Sequence, residues 1–169
     1  MARCLVTGHK GYIGSRLYAE LKRQGHEVMG VDIRDAAGDN ILFRSCGLRD
    51  TRDKTTRFTD FAPEYIFHLA CIPRVAYSIE YPVETMENNI LAGSIMLDFA
   101  RRVGAKRVIY SSSSSVEGNG DGPTSPYGLQ KLVTEMECKL YADLYGVDTV
   151  GLRSVSYTHL RAHETGRDL

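Results

Sequence analysis

The sequence predicts an α/β fold in which helices cover both faces of a doubly wound parallel sheet. Short apolar runs alternate with longer stretches of helical periodicity, the first run leads through a glycine-rich turn into the first helix, and glycines follow the helix ends. Such alternation is typical of parallel sheets, because each return to a parallel strand needs a crossover that is usually a helix. The 169 residues, of which 43% are hydrophobic, suit one domain with its own core.

Six apolar runs have the length and the flanking turn residues of strands. The third run has a weaker strand pattern than the others. The runs are "RCLVTG" at 3–8, "HEVMGVD" at 26–32, "ILFRSC" at 41–46, "YIFHLA" at 65–70, "RVIYSS" at 107–112 and "VDTVGLR" at 147–153.

The first helix carries three apolar residues at helical spacing, and a glycine stands just past its end; they are Ile13, Leu17, Leu21 and Gly25. Further helices are predicted at about 49–61, 82–103 and 125–145. Gly104 and Gly146 close the last two of these helices.

Charge and cysteine usage limit the classes of function. The 21 basic and 21 acidic residues are interspersed, so the chain lacks the basic surface of a nucleic-acid binder and no nucleic-acid partner is expected. The cysteines at 4, 46, 71 and 138 are far apart, which suits reduced thiols better than disulfides or a zinc site. The apolar run near the start is too short for a signal peptide and no stretch is long enough for a membrane span, so we expect a cytoplasmic protein with no membrane partner.

The segment "TGHKGYIG" places Gly8, Gly11 and Gly14 three apart between the first strand and the first helix. Glycines there allow a tight turn and a close approach to a pyrophosphate, as in Rossmann-like sheets. Asp32 ends the second strand 18 residues after Gly14, where a carboxylate can accept from both ribose hydroxyls and repel a 2′-phosphate. This favours NAD over NADP as cofactor. A solvated turn acid is the alternative for Asp32, and Lys10 and Arg34 leave NADP open.

Tyr127 and Lys131 in "SPYGLQK" lie one helical turn apart and can serve one site. A free tyrosine has a pKa near ~10, so a nearby cation is needed to favour its phenolate. Ser113, at the end of the fifth predicted strand, can hydrogen-bond both the tyrosine and a substrate hydroxyl. By contrast, His68 is expected to be a packed, hydrogen-bonded side chain with no catalytic role.

Together these motifs resemble the extended branch of the short-chain dehydrogenase family, the NAD-dependent epimerases and dehydratases of nucleotide sugars. The resemblance runs from Arg3 to Arg153 through several ordered motifs. These are the glycine loop at 7–14, "HLA" at 68–70, "PRVAYSIEYP", Asn89, "SSSSSVEG", "SPYGLQK" and "YGVDTVGLR".

The resemblance implies a role for each matching residue. Tyr127 would be the catalytic base, Lys131 would lower its pKa and bind the nicotinamide ribose, and Ser113 would relay the proton. Asn89 would brace the site, and Arg74 would make a weak contact with substrate. The remaining cofactor residues would be Gly8, Gly11, Tyr12, Ile13 and Gly14 at the pyrophosphate, Asp32 at the ribose, the Leu48 backbone at the adenine, and Leu69 and Ala70 along the middle.

The chain also departs from the family pattern at 47, 117 and 130, where Gly47, Glu117 and Gln130 replace the usual aspartate, tyrosine and serine. Dehydratases of the family carry an Asp-Glu pair where this chain has Ser114 and Ser115. The simplest reaction is therefore 4-epimerisation of a nucleotide sugar such as a UDP-hexose. Another reductase, dehydratase or decarboxylase reaction of the family, or a non-catalytic dinucleotide binder, remains the alternative. The resemblance further implies a homodimer built on the two long helices.

The last residues, "VSYTHLRAHETGRDL", do not continue the family pattern. They resemble one reading frame of a transposase-type sequencing-library adapter. We therefore expect residues 1–154 to be a truncated NAD-binding part that lacks the substrate-binding half and does not turn over sugar alone, and 155–169 to be non-native. A metal site from His159, His163 and Glu164 is the alternative, but no further ligand is apparent and no metal is expected.

Overall fold

Residues 1–35 and 57–154 are described by a computed structural model of the protein, without the side chains of Asp35 and Arg57. The predicted strand at 41–46, the residue Leu48, the first part of the helix at 49–61 and the tail at 155–169 lie outside the described residues.

The described strands form one parallel sheet in the order β2-β1-β3-β4-β5. This confirms the predicted parallel sheet and the predicted strands on either side of 41–46. The strands are β1 (Arg3–Thr7), β2 (Glu27–Val31), β3 (Tyr65–His68), β4 (Arg107–Ser113) and β5 (Thr149–Ser154).

The helices alternate with these strands, as predicted. They are α1 (Tyr12–Arg23), α2 (Arg57–Phe61), α3 (Val75–Glu80), α4 (Pro82–Met86), α5 (Ala92–Val103) and α6 (Pro126–Tyr145). A π-helical turn at Glu87–Leu91 joins α4 to α5, so the helix predicted at 82–103 is present with a local widening. Gly104 and Gly146 close α5 and α6 with positive φ angles of 65° and 68°, a backbone conformation that glycine adopts without strain.

The core lies on both faces of the sheet because successive residues of β1 point in opposite directions. Leu5 packs in a cluster with Met96 and Phe99 of α5, whereas Cys4 and Val6 belong to a second cluster. That second cluster also contains Leu17 and Leu21 of α1. Each fully buried side chain of this size stabilises the fold by about 1.5–3 kcal/mol. The two clusters confirm the doubly wound arrangement.

The chain reverses its direction of winding beside β1, since β2 lies on one side of that strand and β3 on the other. In open α/β sheets ligands bind at this switch point, outside the carboxyl ends of the strands. Here Gly8 follows β1 and Leu69 follows β3, and the Leu69 N–H donates to the carbonyl oxygen of Thr7 over 3.3 Å. The fold therefore places the glycine turn and the "HLA" segment side by side.

Candidate active site

A cavity of about 480 Å³ opens at the carboxyl ends of the strands. Both the glycine turn and the start of α6 reach it, although they are more than a hundred residues apart in sequence. The predicted cofactor residues that line it are Gly8, Gly11, Tyr12, Ile13, Gly14, Asp32, Leu69, Ala70 and Tyr127. Tyr12 and Ile13 are 67% and 61% exposed, so two apolar side chains at the start of α1 face this open space.

The glycine turn is shaped by close backbone contacts. Gly8 has a φ of 71°, and a Cβ atom there would lie 2.9 Å from the Ala70 nitrogen. A Cβ atom on Gly14 would lie only 2.1 Å from the Gly8 carbonyl oxygen. Gly11 caps α1 without a side-chain hydrogen bond. The start of α1, with the partial positive charge of a helix N-terminus, therefore borders the cavity and suits an anionic group.

Asp32 lies at the end of β2, is 4% exposed and borders the same cavity. The Lys10 N–H donates to Asp32 Oδ2 over 3.0 Å, and the Arg34 N–H donates to Oδ1 over 3.1 Å. The Arg34 guanidinium lies 3.4 Å from the same Oδ1 but is 62% exposed. The carboxylate is therefore held in one orientation by the backbone of the glycine turn. It does not behave as a solvated turn acid.

Thr7 organises the segment that follows β3, a role that the sequence analysis missed. Its Oγ1 accepts from the N–H groups of Leu69 and Ala70 over 3.2 and 3.1 Å and lies 2.9 Å from His68 Nδ1. Because both lone pairs are used, the hydroxyl donates to His68 Nδ1, and the neutral imidazole carries its proton on Nε2. Burial, and then the charge of Lys131, lower the pKa of His68 to about 3. His68 is thus packed and hydrogen-bonded, as expected.

The predicted catalytic residues come together at the end of β4. Ser113 lies beside the Tyr127 side chain, whose pKa it lowers. Its Oγ accepts from the Ser115 N–H over 3.1 Å and donates to Ser115 Oγ over 3.1 Å. Lys131 Nζ donates to the Ser111 carbonyl oxygen over 2.7 Å and lies 5.9 Å from the centre of the Tyr127 ring. The three side chains are 8%, 8% and 5% exposed for Ser113, Tyr127 and Lys131 respectively.

Burial, and then the neighbouring Cys71 thiol, raise the pKa of Tyr127, while the Ser113 side chain opposes this. The protein alone therefore holds Tyr127 as a neutral phenol, and the lowering of its pKa expected from Lys131 stays a prediction. Cys71 lines the cavity and is partly exposed, a position that its sequence context does not indicate.

The first turn of α6, which carries Tyr127, has its backbone donors satisfied by two serines. Ser125 is the N-cap and its Oγ accepts from the Gly128 N–H over 3.1 Å. Ser78 of α3, which is fully buried, accepts from the Tyr127 N–H over 3.0 Å and donates to the Val75 carbonyl oxygen over 2.7 Å. Ser78 thus connects a short helix to the backbone of the predicted base.

Four predicted site residues that the structure describes do not line the cavity themselves: Ser113 and Lys131, which lie beside the lining residue Tyr127, and Asn89 and Arg74. Asn89 is 4% exposed inside the π-helical turn, and its neighbour Asn88 lines the cavity. Arg74 is exposed as the N-cap of α3, one residue beyond Pro73, which does line the cavity. Asn89 is thereby suited to bracing the site from behind.

Glu117, which stands where the family usually has a tyrosine, forms an ion pair with Arg153. Arg153, on β5, donates from Nη1 to Glu117 Oε1 over 2.6 Å. The same guanidinium donates through Nε and Nη2 to both carboxylate oxygens of Glu135 on α6. Glu117 therefore links the turn after β4 to β5 and α6.

Within residues 1–35 and 57–154, no group of three or more His, Cys, Asp or Glu side chains is placed to hold a metal ion. In the same part of the chain no helix combines the length and the apolar character that crossing a membrane requires.

The fold and the glycine turn define a Rossmann-like protein with a dinucleotide-binding type of cavity. Residues 4–158 match the family model described as the NAD dependent epimerase/dehydratase family, and the chain belongs to this family.

Three known proteins illustrate the similarity. Protein CapI of Staphylococcus aureus is 33% identical over 89% of this chain. The UDP-glucose 4-epimerase of Thermotoga maritima, solved with UDP-glucose, is 30% identical with a TM-score of 0.76 over 89% of this chain. The UDP-glucose 4-epimerase of Thermus thermophilus, solved with NAD, is 30% identical with a TM-score of 0.73 over 89%. This chain covers 53%, 54% and 54% of the three proteins respectively, so it spans about half their length.

Proposed function

We propose that the whole protein is an NAD-dependent 4-epimerase of a nucleotide sugar, a UDP-hexose, and that residues 1–154 form its NAD-binding part. The observation that carries this proposal is the placement of Tyr127 and Asp32 on one cavity. Tyr127 lies with Ser113 and Lys131 at the carboxyl end of β4, whereas Asp32 follows β2, and β1 and β3 lie between those two strands. A ribose-binding acid and a proton-transfer group that lie on one cavity at the ends of different strands suit a dinucleotide that spans the cavity.

The residues present fit NAD. The start of α1 would receive the pyrophosphate, because the glycines leave its N-terminus open to the cavity. Asp32, oriented by the Lys10 and Arg34 N–H groups, would accept from the adenosine ribose hydroxyls and disfavour the 2′-phosphate of NADP. Bound NAD would cover part of the exposed Tyr12 and Ile13 side chains.

Bound NAD would supply the acceptor and donor of hydride. As the phenolate, Tyr127 would take the proton of the sugar C4 hydroxyl during oxidation, and as the phenol it would return that proton during reduction. Ser113, which lies beside Tyr127, would relay that proton between the sugar hydroxyl and the phenol oxygen. Because burial keeps Tyr127 neutral, the charge of Lys131 is needed to favour the phenolate at the moment of transfer.

The described cavity favours epimerisation over elimination of water. Ser114 and Ser115 form the turn after β4, and Ser115 Oγ is hydrogen-bonded to Ser113 over 3.1 Å. Asp32 is the one acidic residue among the described residues that line the cavity, and it lies after β2, away from Tyr127. A dehydratase or decarboxylase would need an acidic group beside Tyr127. A non-catalytic dinucleotide binder would have no chemical need for all three of Ser113, Tyr127 and Lys131.

We also propose that the whole protein is a homodimer through α5 and α6. Met136, Leu140 and Leu144 of α6 are 64%, 52% and 62% exposed, and their spacing places them on one face of the helix. The tail at 155–169 is proposed to be non-native, on its resemblance to an adapter sequence.

The test begins with the source DNA, read across the codons for Leu152–Tyr157 by a method that uses no such adapter. If the reading frame continues differently, the whole protein is expressed and incubated with UDP-glucose, and formation of UDP-galactose supports the proposal. Loss of water or CO₂ instead would favour another reaction of the family. If the source DNA encodes the tail as written, the proposal for residues 155–169 fails, and the two histidines are tested by metal titration.

A further inference from the structure

Gln130 lies on α6 directly before Lys131 and is 2% exposed, yet the proposed proton transfer and NAD contacts do not involve it. We propose that Gln130 is a positioning residue that holds the loop at 69–73, which lines the cavity, in register with Tyr127 and Lys131. The part of this inference that concerns ligand affinity rests on the proposed binding of NAD.

A chain of buried hydrogen bonds connects Gln130 to that loop. Gln130 Oε1 accepts from Asn89 Nδ2 over 2.7 Å, and Gln130 Nε2 donates to Thr85 Oγ1 over 2.9 Å. Asn89 in turn accepts from the Ile72 N–H at Oδ1 over 2.8 Å and donates to the Ile72 carbonyl oxygen over 3.3 Å. Both ends of the Gln130 amide are thus satisfied, and both polar groups of the Ile72 backbone depend on one asparagine.

The hydrogen bond to Gln130 requires the same orientation of the Asn89 amide as the two hydrogen bonds to the Ile72 backbone, and so reinforces it. Since the Gln130 Nε2 donates to Thr85, its Oε1 must face Asn89, and Asn89 must present its NH₂ group to it. The Oδ1 atom of Asn89 is then left to accept from Ile72. Without Gln130 the Asn89 NH₂ group loses its shorter hydrogen bond and keeps only the 3.3 Å bond to the Ile72 carbonyl oxygen, so Asn89 is held less firmly as the acceptor of the Ile72 N–H.

The loop at 69–73 is therefore attached at two points. Its first residues are held by Thr7, and its later part is held at Ile72 by Asn89 and Gln130. Cys71, Ile72 and Pro73 line the cavity, and Cys71 is close enough to Tyr127 to influence its pKa. Loosening the second attachment would change the Tyr127 end of the cavity and leave the Asp32 end intact.

The test replaces Gln130 by methionine, which keeps the length of the side chain and removes both hydrogen bonds. The matched control is Thr134→Val on the same helix, because Thr134 is also buried but donates to the Gln130 carbonyl oxygen and not toward the loop. Amide hydrogen exchange of the isotope-labelled 169-residue chain is followed by NMR. Loss of one buried hydrogen bond changes an opening equilibrium constant by about threefold to tenfold. In Gln130→Met the exchange rate of the Ile72 N–H, divided by that of the β1 amides, should therefore rise by about that factor. Thr134→Val should leave this ratio unchanged.

A second readout compares two ligands by calorimetry. NAD spans the cavity, whereas AMP needs only the Asp32 end. Gln130→Met should raise the Kd of NAD by about threefold to tenfold and leave the Kd of AMP unchanged. A purely structural role would weaken both ligands equally or neither. If the unsubstituted chain binds neither ligand, the proposed function fails for this chain, but the exchange ratio at Ile72 still decides the role of Gln130.

Gln130→Glu provides a rescue variant. If Gln130→Met does not fold, Gln130→Leu, which also removes both side-chain hydrogen bonds, takes its place. A glutamate keeps the acceptor for Asn89, so the Ile72 N–H should exchange as in the unsubstituted chain. Equal exchange ratios at Ile72 in Gln130→Met and Thr134→Val would overturn the proposal. So would a Gln130→Glu chain that exchanges Ile72 as fast as Gln130→Met.

Discussion

At the residue scale, the proposed chemistry depends on the hydroxyl of Tyr127, which Ser113 contacts and burial keeps neutral. Tyr127→Phe removes the group that transfers the proton but keeps the ring. We expect kcat of the whole protein for a UDP-hexose to fall by about 10²–10⁴-fold, with little change in NAD affinity. Steady-state kinetics and calorimetry measure the two quantities.

Tyr145→Phe is the matched control, since Tyr145 lies on the same helix and is 53% exposed. It should retain the kcat of the unsubstituted protein. A Tyr127→Phe enzyme that keeps full kcat would show that another group transfers the proton.

Cofactor choice is a second property that one residue decides. Asp32→Asn keeps the shape and an acceptor for the Lys10 N–H but removes the charge that would bind the ribose hydroxyls. Because hydrogen bonds to charged groups contribute about 1.5–3 kcal/mol, we expect the Kd of NAD to rise by about tenfold or more and that of NADP to fall. Calorimetry with both dinucleotides checks this.

Asp98→Asn changes an acid of α5 that pairs with Arg101 and Arg102, away from the cavity lining, and should alter neither Kd. Unchanged preference for NAD in Asp32→Asn would mean that selectivity comes from elsewhere, with Arg34 the first residue to test.

Local spacing was enough to predict the tight turn at Gly8 and Gly14 and the position of Asp32 at the end of a strand, because both features are decided within one βαβ unit of the fold. Their contact with a cofactor stays a prediction. The roles of Thr7 and Cys71 were not predicted. Thr7 binds a segment more than sixty residues later, and Cys71 reaches the cavity only because β3 lies beside β1. Contacts of this kind depend on which strands are neighbours, and strand order is not a local property of the chain.

At the scale of elements, the position of α6 depends on a contact with α3. Ser78 accepts from the Tyr127 N–H inside the protein, so Ser78→Ala would leave that donor buried without its partner. We expect the free energy of unfolding of the chain to fall by about 1–3 kcal/mol, and kcat of the whole protein to fall as the Tyr127 backbone shifts. Urea denaturation measures the first effect and kinetics the second.

The comparison for Ser78→Ala is Ser15→Ala, which removes an exposed hydroxyl that donates to the Tyr12 carbonyl oxygen on α1. Its unfolding free energy should stay within about 0.5 kcal/mol of the starting chain. If Ser78→Ala is equally neutral, then water or a shifted backbone satisfies the Tyr127 N–H, and the contact does not hold α6 in place.

The long elements were predicted from the sequence, whereas α3 and the π-helical turn were not. Gly104 follows α5, Pro126 begins α6 and Gly146 follows it, so residues next to each helix indicate where it stops. The six-residue α3 is too short for a periodic signal, and it owes its place to Ser78. The π-helical turn contains Asn89, whose partners Ile72 and Gln130 come from two other segments. Tertiary hydrogen bonds thus explain what local pattern cannot indicate.

At the scale of the whole molecule, His68 links stability to pH. Its imidazole is buried at the centre of the sheet between Thr7 and the charge of Lys131, and its pKa falls from 6.5 to about 3. Between these two values the unfolded chain binds a proton that the folded chain does not. Stability therefore decreases as the pH is lowered from about 6.5 toward about 3, with a contribution of up to ~1.4 kcal/mol per pH unit.

Replacing His68 by glutamine removes the imidazole that takes up this proton on unfolding, while keeping a side-chain acceptor for the Thr7 hydroxyl. We expect His68→Gln to be less stable at pH 7, because its packing is imperfect, but to lose less stability than the unsubstituted chain between pH 6.5 and pH 4. Urea denaturation at a series of pH values measures the difference in slope.

His26→Gln is the control, because His26 lies outside the core clusters and its Nδ1 accepts from the Ala2 N–H near the start of the chain. The carboxylates that also titrate in this range are common to all three proteins, so they cancel in the comparison. Parallel curves for His68→Gln and the unsubstituted chain would mean that the folded protein accommodates the imidazolium, and that the sheet is less closed around His68 than its burial indicates.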